Sequence, residues 1–138
     1  MEKYVVSSCL AGIKCRYDGK DKKNDYVCSL VNDGKATPLC AECLGGLSIP
    51  RDPAEIINDK VITNKGIDVT REYNKGAEEV LKYCLDNNIK KAILCDKSPS
   101  CGLRTYDGTF SGKLIDKPGI TAKLLIENGI EVITSKDL

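Results

Sequence analysis

Histidine and tryptophan are absent from the sequence, and phenylalanine and methionine occur once each. Histidine is both the commonest metal ligand and the commonest general base in proteins, so its absence leaves these roles to other side chains. A metal site in this chain would depend on thiolates, and proton transfer would fall to Glu, Asp, Lys or Tyr. Thiolate-rich sites favour zinc or iron–sulfur clusters.

The chain also lacks an excess of charge and any long hydrophobic run. Lys and Arg number 21 against 20 for Asp and Glu, so the net charge of +1 does not favour nucleic acid, a membrane surface or an acidic partner. No apolar stretch approaches the roughly 20 residues that span a bilayer, and the first residues show no signal-peptide pattern. We therefore expect a cytoplasmic protein without membrane contact.

Cysteine, in contrast, is abundant, with eight residues. In the reducing cytosol such a set is more typical of metal binding or catalysis than of disulfides. Cys84 on the apolar face of a long helix and Cys95 inside an apolar strand are expected to be core residues, and Cys28 is similar. Five others lie in loops beside Gly, Pro, Ser and charged residues, where burial explains them poorly. These are Cys9, Cys15, Cys40, Cys43 and Cys101.

Short apolar strands alternate with amphipathic helices along the sequence. Strands are predicted over 3–7, 36–40, 61–63, 91–95 and 130–134, and helices over 24–33, 70–87 and 119–128. This alternation predicts an α/β fold, and the length of the chain with no repeat or linker favours one Rossmann-like domain over residues 1–138, its mainly parallel central sheet flanked by helices. Because parallel strands share one carboxyl edge, Cys9, Cys40 and Cys101 would converge there.

Cys40 and Cys43 form a C-x-x-C pair with Glu42 between them. Such a pair occurs in zinc sites, redox pairs and cluster sites. No second pair completes a zinc ribbon, and Gly45 and Gly46 would break the helix that a thioredoxin-like motif requires. Ligands from separate loops therefore fit better.

Polar side chains near these cysteines are candidates for binding and proton transfer. They are Arg16, Tyr17, Asp18, Glu42, Arg51, Glu55, Ser98 and Ser100. The glycine-rich segment 107–112 lacks a phosphate-binding pattern and is predicted to be a turn.

Motifs in these regions follow one another in a specific order: SCLAG (8–12) with CRYDG (15–19), PLCAECLGG (38–46), PRDPAE (50–55), SPSCG (98–102) and YDGTFSG (106–112). Together they cover nearly the whole chain and resemble the thiouracil desulfidase family. The resemblance implies an α/β domain whose [4Fe–4S] cluster is held by three cysteines, with one iron left open for the sulfur of a thiolated pyrimidine. By motif position these ligands are Cys9, Cys40 and Cys101, with Cys15 and Cys43 as alternates.

The resemblance also implies an enzyme that converts 2-thiouracil, 4-thiouracil or 4-thiouridine monophosphate to the oxo form and releases sulfide without net redox change. Glu42 would activate water, and Ser98 would orient the substrate or relay a proton. Substrate contacts would come from the accompanying polar residues, which are Arg16, Tyr17, Asp18, Arg51 and Ser100.

Other functions remain open from the sequence. A closed Cys-ligated zinc or cluster site would only stabilise the fold, and a single reactive thiolate would suffice for sulfur transfer through a persulfide. A thiolated base in tRNA carries the same reacting group, but the near-neutral charge does not favour RNA as a partner. The sequence does not indicate an oligomeric state.

Overall fold

Strands and helices alternate along the chain in the computed structural model, which describes residues 3–138. In chain order the elements are β1 (Tyr4–Ser7), a 3-10 helix (Ser8–Ala11), α1 (Asp25–Asn32), β2 (Ala36–Leu39), α2 (Ala41–Leu44), β3 (Ala54–Ile57), β4 (Lys60–Thr63), α3 (Thr70–Asp86), β5 (Lys91–Leu94), β6 (Thr105–Tyr106), β7 (Leu114–Ile115), α4 (Ile120–Glu127), β8 (Glu131–Thr134) and a second 3-10 helix (Ser135–Asp137). Each predicted strand and helix is present, with ends shifted by at most one residue.

The central sheet has the strand order β2-β1-β5-β8, and all its pairs are parallel. This confirms the predicted α/β fold with a parallel sheet flanked by helices. Two antiparallel hairpins, β3–β4 and β6–β7, lie outside this sheet. Within residues 3–138 we find no helix with the length and apolar character needed to span a bilayer.

Alternating side chains of the central strands supply two hydrophobic layers, as the pleat of a strand requires. Val5 and Leu94 are buried in a cluster with side chains of α3 and α4, whereas Val6 and Ile93 are buried in a cluster with α1. Burying each such side chain contributes about 1.5–3 kcal/mol to folding. The helices are therefore held on both faces of the sheet, and the carboxyl edge is left to the loops.

Several short elements were not predicted, and two of them, β3 and α2, border the region of Cys40 and Glu42. No strand was predicted over 54–57, yet Ala54–Ile57 pairs with β4 through a turn in which Asn58 and Asp59 have φ values of 51° and 64°. Asn and Asp tolerate this left-handed region, which tight hairpins need. The second is α2: the Gly45–Gly46 pair, expected to prevent a helix, follows one turn of helix that begins directly after Cys40.

Helix α2 packs closely on α3 because glycine occupies both sides of the contact. A Cβ atom on Gly76 would overlap the carbonyl oxygen of Ala41, and one on Gly45 would overlap that of Glu72. The two backbones thus approach to a distance that no other residue allows. This contact positions the segment that carries Cys40 and Glu42.

Gly76→Ala is therefore expected to lower the free energy of unfolding by about 3 kcal/mol, at the upper end for overpacking, because the overlapping atoms belong to the backbone. Chemical denaturation measures the change. Lys75→Ala, at the exposed neighbouring position of α3, is the matched control. Equal stability of the two variants would show that α2 does not depend on this close approach.

Candidate functional site

A cavity of about 260 Å³ lies at the carboxyl edge of the central sheet. It sits where the strand order reverses, since the chain runs from β1 outward to β2 on one side and through β5 to β8 on the other. Such a crevice is the usual ligand site of open α/β sheets. Five cysteine side chains line it: Cys9, Cys15, Cys40, Cys95 and Cys101.

The three cysteines favoured as ligands all reach this cavity. Cys9 follows β1, Cys40 follows β2, and Cys101 belongs to the loop after β5. Cys15 joins them from the loop that follows Cys9. Cys43 does not line the cavity but packs against the cluster on the α1 side of the sheet, because α2 turns it away from Cys40. Cys43 thus lies apart from the other four candidate ligands.

Cys95 also departs from its expected place. It was predicted to be a core residue within a strand, but β5 ends at Leu94 and Cys95 lines the cavity. Its backbone N–H donates to Ser7 Oγ over 2.9 Å, which ties the exits of the two neighbouring strands β5 and β1 together. Cys84 is fully buried in the core, as predicted.

The cavity thiols shift one another's pKa values. Hydrogen bonds from the Cys40 and Cys9 thiols, with a smaller contribution from the charge of Arg51, lower the pKa of Cys15 to about 3. The contacts with Cys15 raise the pKa values of Cys9 and Cys40, and burial raises that of Cys101 to about 12. A metal that binds several of these thiols must therefore displace protons.

Glu42 occupies the cavity wall beside these thiols, with its side chain 15% exposed. Its Oε2 atom accepts hydrogen bonds from Arg51 Nη2 at 2.8 Å, Arg51 Nε at 3.3 Å and the Tyr73 hydroxyl at 2.9 Å. Among the described residues, Oε1 has one hydrogen-bond partner, Ser98 Oγ at 3.4 Å. Arg51 and Tyr73 thus hold Oε2 in place, whereas Oε1 has a single, longer contact with Ser98 among the described residues.

Arg51 is a buried structural partner of this carboxylate, with its side chain 8% exposed. Its Nη1 atom donates to the carbonyl oxygens of Cys15 and Ser48, both at 3.2 Å. Burial opposes its charge, but the Glu42 carboxylate outweighs this effect and raises the pKa of Arg51. Most of the donors of Arg51 are therefore used inside the protein, although the residue also lines the cavity.

Two of the expected substrate contacts, Asp18 and Ser100, do not line the cavity. Asp18 is exposed, pairs with Arg16 at 3.5 Å and accepts the backbone N–H of Lys20. Ser100 is fully buried, with its hydroxyl 2.7 Å from that of Thr121, and its carbonyl oxygen accepts the N–H groups of Thr121 and Ala122 in the first turn of α4. The sequence motifs that contain these two residues gave no indication of the direction of their side chains.

Arg16 and Tyr17 do line the cavity, and the guanidinium of Arg16 lies 5.7 Å from the centre of the Tyr17 ring. Several lining residues were missed: Lys22, Tyr73, Lys97 and Tyr106. Tyr73 lies on the buried face of α3. No sequence signal indicated that its hydroxyl meets Glu42.

The donor set fits an iron–sulfur cluster, because cysteine thiolates are the usual ligands of such clusters and several thiols face one cavity. Within residues 3–138 no three or more His, Cys, Asp or Glu side chains gather as they would around a single metal ion. In a four-iron cluster each cysteine binds a different iron, so its ligands need not gather around one centre.

Comparison with known proteins identifies a matching family, a related sequence and a related solved structure. The 2-thiouracil desulfurase family model matches residues 4–137. YbbK of Bacillus subtilis (strain 168), an uncharacterized protein, is 44% identical over 145 residues, which cover 97% of this chain and 96% of that protein. The solved structure of TudS, a [4Fe–4S]-dependent thiouracil desulfidase, is 42% identical and superposes with a TM-score of 0.95 over 100% of this chain and 93% of that one. The chain therefore belongs to the 2-thiouracil desulfurase family.

Proposed function

We propose that this protein is an iron–sulfur-dependent desulfidase that replaces the sulfur of a thiolated pyrimidine with oxygen from water. The observation that carries the proposal is one cavity at the sheet edge that holds five thiols and the Glu42 carboxylate. Membership of the 2-thiouracil desulfurase family and likeness to a [4Fe–4S]-dependent thiouracil desulfidase support it. The reaction is balanced without an oxidant or reductant, since a thiocarbonyl and water give a carbonyl and hydrogen sulfide.

Cys9, Cys40 and Cys101 are the proposed ligands of a [4Fe–4S] cluster, in which one iron has no protein ligand. They come from three separate segments at the carboxyl edge of neighbouring strands. When bound, the cluster would supply a thiophilic Lewis acid for the thiocarbonyl sulfur. Cys15, which contacts both Cys9 and Cys40, is the alternate ligand.

Glu42 is the proposed general base. Arg51 and Tyr73 hold Oε2, so Oε1 is the oxygen that accepts a proton from water as that water attacks the thiocarbonyl carbon. Ser98 Oγ accepts the backbone N–H groups of Ser100 and Cys101, both at 3.1 Å. Because Ser98 Oγ is the acceptor in these two bonds, its own hydrogen can be donated to Oε1 of Glu42. The proposed role of Ser98 is to relay a proton or orient the substrate.

The proposed substrates are 2-thiouracil, 4-thiouracil and 4-thiouridine monophosphate. The aromatic rings of Tyr17 and Tyr106 offer apolar faces for a base, while Arg16, Lys22 and Lys97 offer cations for one phosphate. A small molecule suits a 260 Å³ cavity better than a base within tRNA. Eight free thiols suit a reducing compartment, so we place the protein in the cytoplasm.

Anaerobic reconstitution with iron and sulfide tests this function. We expect about four irons and four sulfides per chain, from the chemistry of cubane clusters, together with loss of thiouracil only in the reconstituted protein. Comparing kcat/KM for the three substrates then identifies the preferred one. Zinc at one equivalent without sulfide, and no change in thiouracil, would contradict the proposal and favour a structural site.

Tyr73→Phe is expected to lower kcat by about tenfold with little change in KM, because a hydrogen bond to a charged group contributes about 1.5–3 kcal/mol. The variant leaves Oε2 of Glu42 held by Arg51 alone. Steady-state kinetics measure the effect, with Tyr26→Phe on the exposed side of α1 as control. An unchanged kcat would show that Tyr73 does not position the carboxylate.

A further inference from the structure

Glu55 is a second buried carboxylate at the cavity, and the proposed reaction does not use it. It lies on β3 with 8% of the residue exposed, and it lines the cavity. Its Oε1 atom accepts the backbone N–H groups of Gly108 at 3.0 Å and Phe110 at 3.1 Å. Glu55 therefore anchors the glycine-rich loop 107–112, which directly follows Tyr106 in the cavity wall.

The other oxygen of this carboxylate, Oε2, has no hydrogen-bond or ion-pair partner within residues 3–138. In this described part of the chain every buried side-chain nitrogen or oxygen has a partner, so Oε2 must be accessible. Since Glu55 is otherwise enclosed and lines the cavity, the accessible oxygen opens to the cavity. The loop does not require this arrangement, because a glutamine oxygen would accept the same two N–H groups without the cost of a buried charge.

A uracil-type ring offers a donor that fits this oxygen. Its N3–H lies between C2 and C4, so it is adjacent to the reacting carbon in 2-thiouracil, 4-thiouracil and 4-thiouridine monophosphate alike. Proteins that bind an unstacked base read this edge by hydrogen bonds and cover the ring faces with aromatic side chains. Glu55 and Tyr106 offer both kinds of contact, and the loop that Glu55 anchors connects them.

We infer that Glu55 is a specificity-determining residue whose Oε2 atom accepts the N3–H of the thiolated base and thereby selects uracil-type over cytosine-type rings. N3 of a cytosine-type ring carries a lone pair and no hydrogen, so it would face the carboxylate as a second acceptor. The carboxylate also keeps the bound base neutral, because a negative charge on the ring is disfavoured beside another negative charge. A neutral thiocarbonyl carbon is a better target for water than that of the anion.

The test compares kcat/KM for 1-methyl-2-thiouracil, which has an N3–H, and 1-methyl-2-thiocytosine, which has an N3 lone pair. The inference rests on the proposed function, so both are measured with the reconstituted protein, and wild type is expected to prefer the thiouracil. Glu55→Gln keeps an oxygen for Gly108 and Phe110 but turns an N–H donor to the ring. It is expected to lower the preference about 10- to 100-fold, the effect of one hydrogen bond to a charged group. The preference is a ratio, so incomplete cluster loading cancels.

Asp107→Ala is the control for a loosened loop, because it removes the acceptor of the Thr109 N–H and leaves Glu55 intact. It is expected to keep the wild-type preference. An unchanged preference in Glu55→Gln, or an equal loss of preference in Asp107→Ala, would overturn the inference.

If Glu55→Gln does not fold, the wild-type protein alone decides through two isomers of equal size, 1-methyl-4-thiouracil and 3-methyl-4-thiouracil. We expect kcat/KM to be at least about tenfold higher for the 1-methyl isomer, which keeps its N3–H, and equal values would overturn the inference. A reconstituted wild-type protein that desulfurises none of these bases would overturn the proposed function as well. Normal turnover of thiouracil with a preference that does not depend on Glu55 would overturn this inference alone.

Discussion

Glu42→Gln is expected to lower kcat by about 10²- to 10⁴-fold, the usual contribution of a general base, with unchanged cluster content. Glutamine keeps the shape of the side chain and an oxygen that can accept from Tyr73 and Arg51, but it cannot take a proton from water. Steady-state desulfurisation kinetics measure the loss, and iron and sulfide analysis shows whether the cluster remains.

Two controls show whether the loss of activity comes from the missing carboxylate of Glu42. Glu79→Gln, at an exposed position of α3, removes a carboxylate away from the cavity and is expected to keep full activity. The substitution at Glu42 also leaves Arg51 with a buried charge and no counter-ion, so thermal unfolding must show that the variant is folded at the assay temperature. Wild-type turnover by a folded Glu42→Gln protein would remove Glu42 from the mechanism.

Single serine substitutions of Cys9, Cys40 and Cys101 are expected to abolish turnover and to lose most of the bound iron. In the proposed ligand set, each change would remove one of three protein bonds to the cluster, and a serine hydroxyl is a much weaker ligand for iron than a thiolate. Iron and acid-labile sulfide per chain, measured after identical anaerobic reconstitution, report the loss directly.

Cys43→Ser is the matched control, because Cys43 lies in the same C-x-x-C motif as Cys40 but packs away from the cavity. We expect it to retain the cluster and activity. Cys15→Ser separates the two ligand assignments: it keeps the cluster if Cys15 is only a neighbour of the ligands. Loss of the cluster in Cys15→Ser and its retention in Cys9→Ser or Cys40→Ser would instead make Cys15 a ligand.

The sequence predicted the central fold because hydrophobic periodicity and end signals agreed. Asn24, for example, was expected to begin a helix, and its side chain accepts the N–H of Val27 at 3.1 Å. The convergence of Cys9, Cys40 and Cys101 on one cavity likewise follows from their positions after parallel strands. These inferences need only local pattern and the geometry of parallel sheets.

What the sequence did not predict depends on long-range packing. The Gly45–Gly46 pair was interpreted as a helix breaker, whereas Gly45 serves the close approach of α2 to α3, a contact with no local signature. The hydrogen bond from the Tyr73 hydroxyl to Glu42 joins residues 31 positions apart. It links α3 to α2, the two helices that meet at this close contact. The direction of a loop side chain is equally non-local, as the buried hydroxyl of Ser100 shows.

The expected end of β5 was one residue too late, and this small error changed the interpretation of Cys95. Periodicity cannot define the end of this strand, because the residues over 92–95 are all apolar and give no polar alternation. Cys95, which lines the cavity, directly follows the last paired position, Leu94. The assignment of a cysteine to core or site therefore required the structure.

Desulfurisation in ¹⁸O-labelled water, with cluster-loaded and iron-free protein side by side, separates cluster-dependent hydrolysis from its alternatives. We expect that only the loaded protein releases one sulfide for each thiouracil consumed, and that the uracil formed carries one ¹⁸O atom from the solvent. Equal turnover by the iron-free protein, or uracil without solvent oxygen, would contradict a cluster-dependent hydrolysis at this cavity.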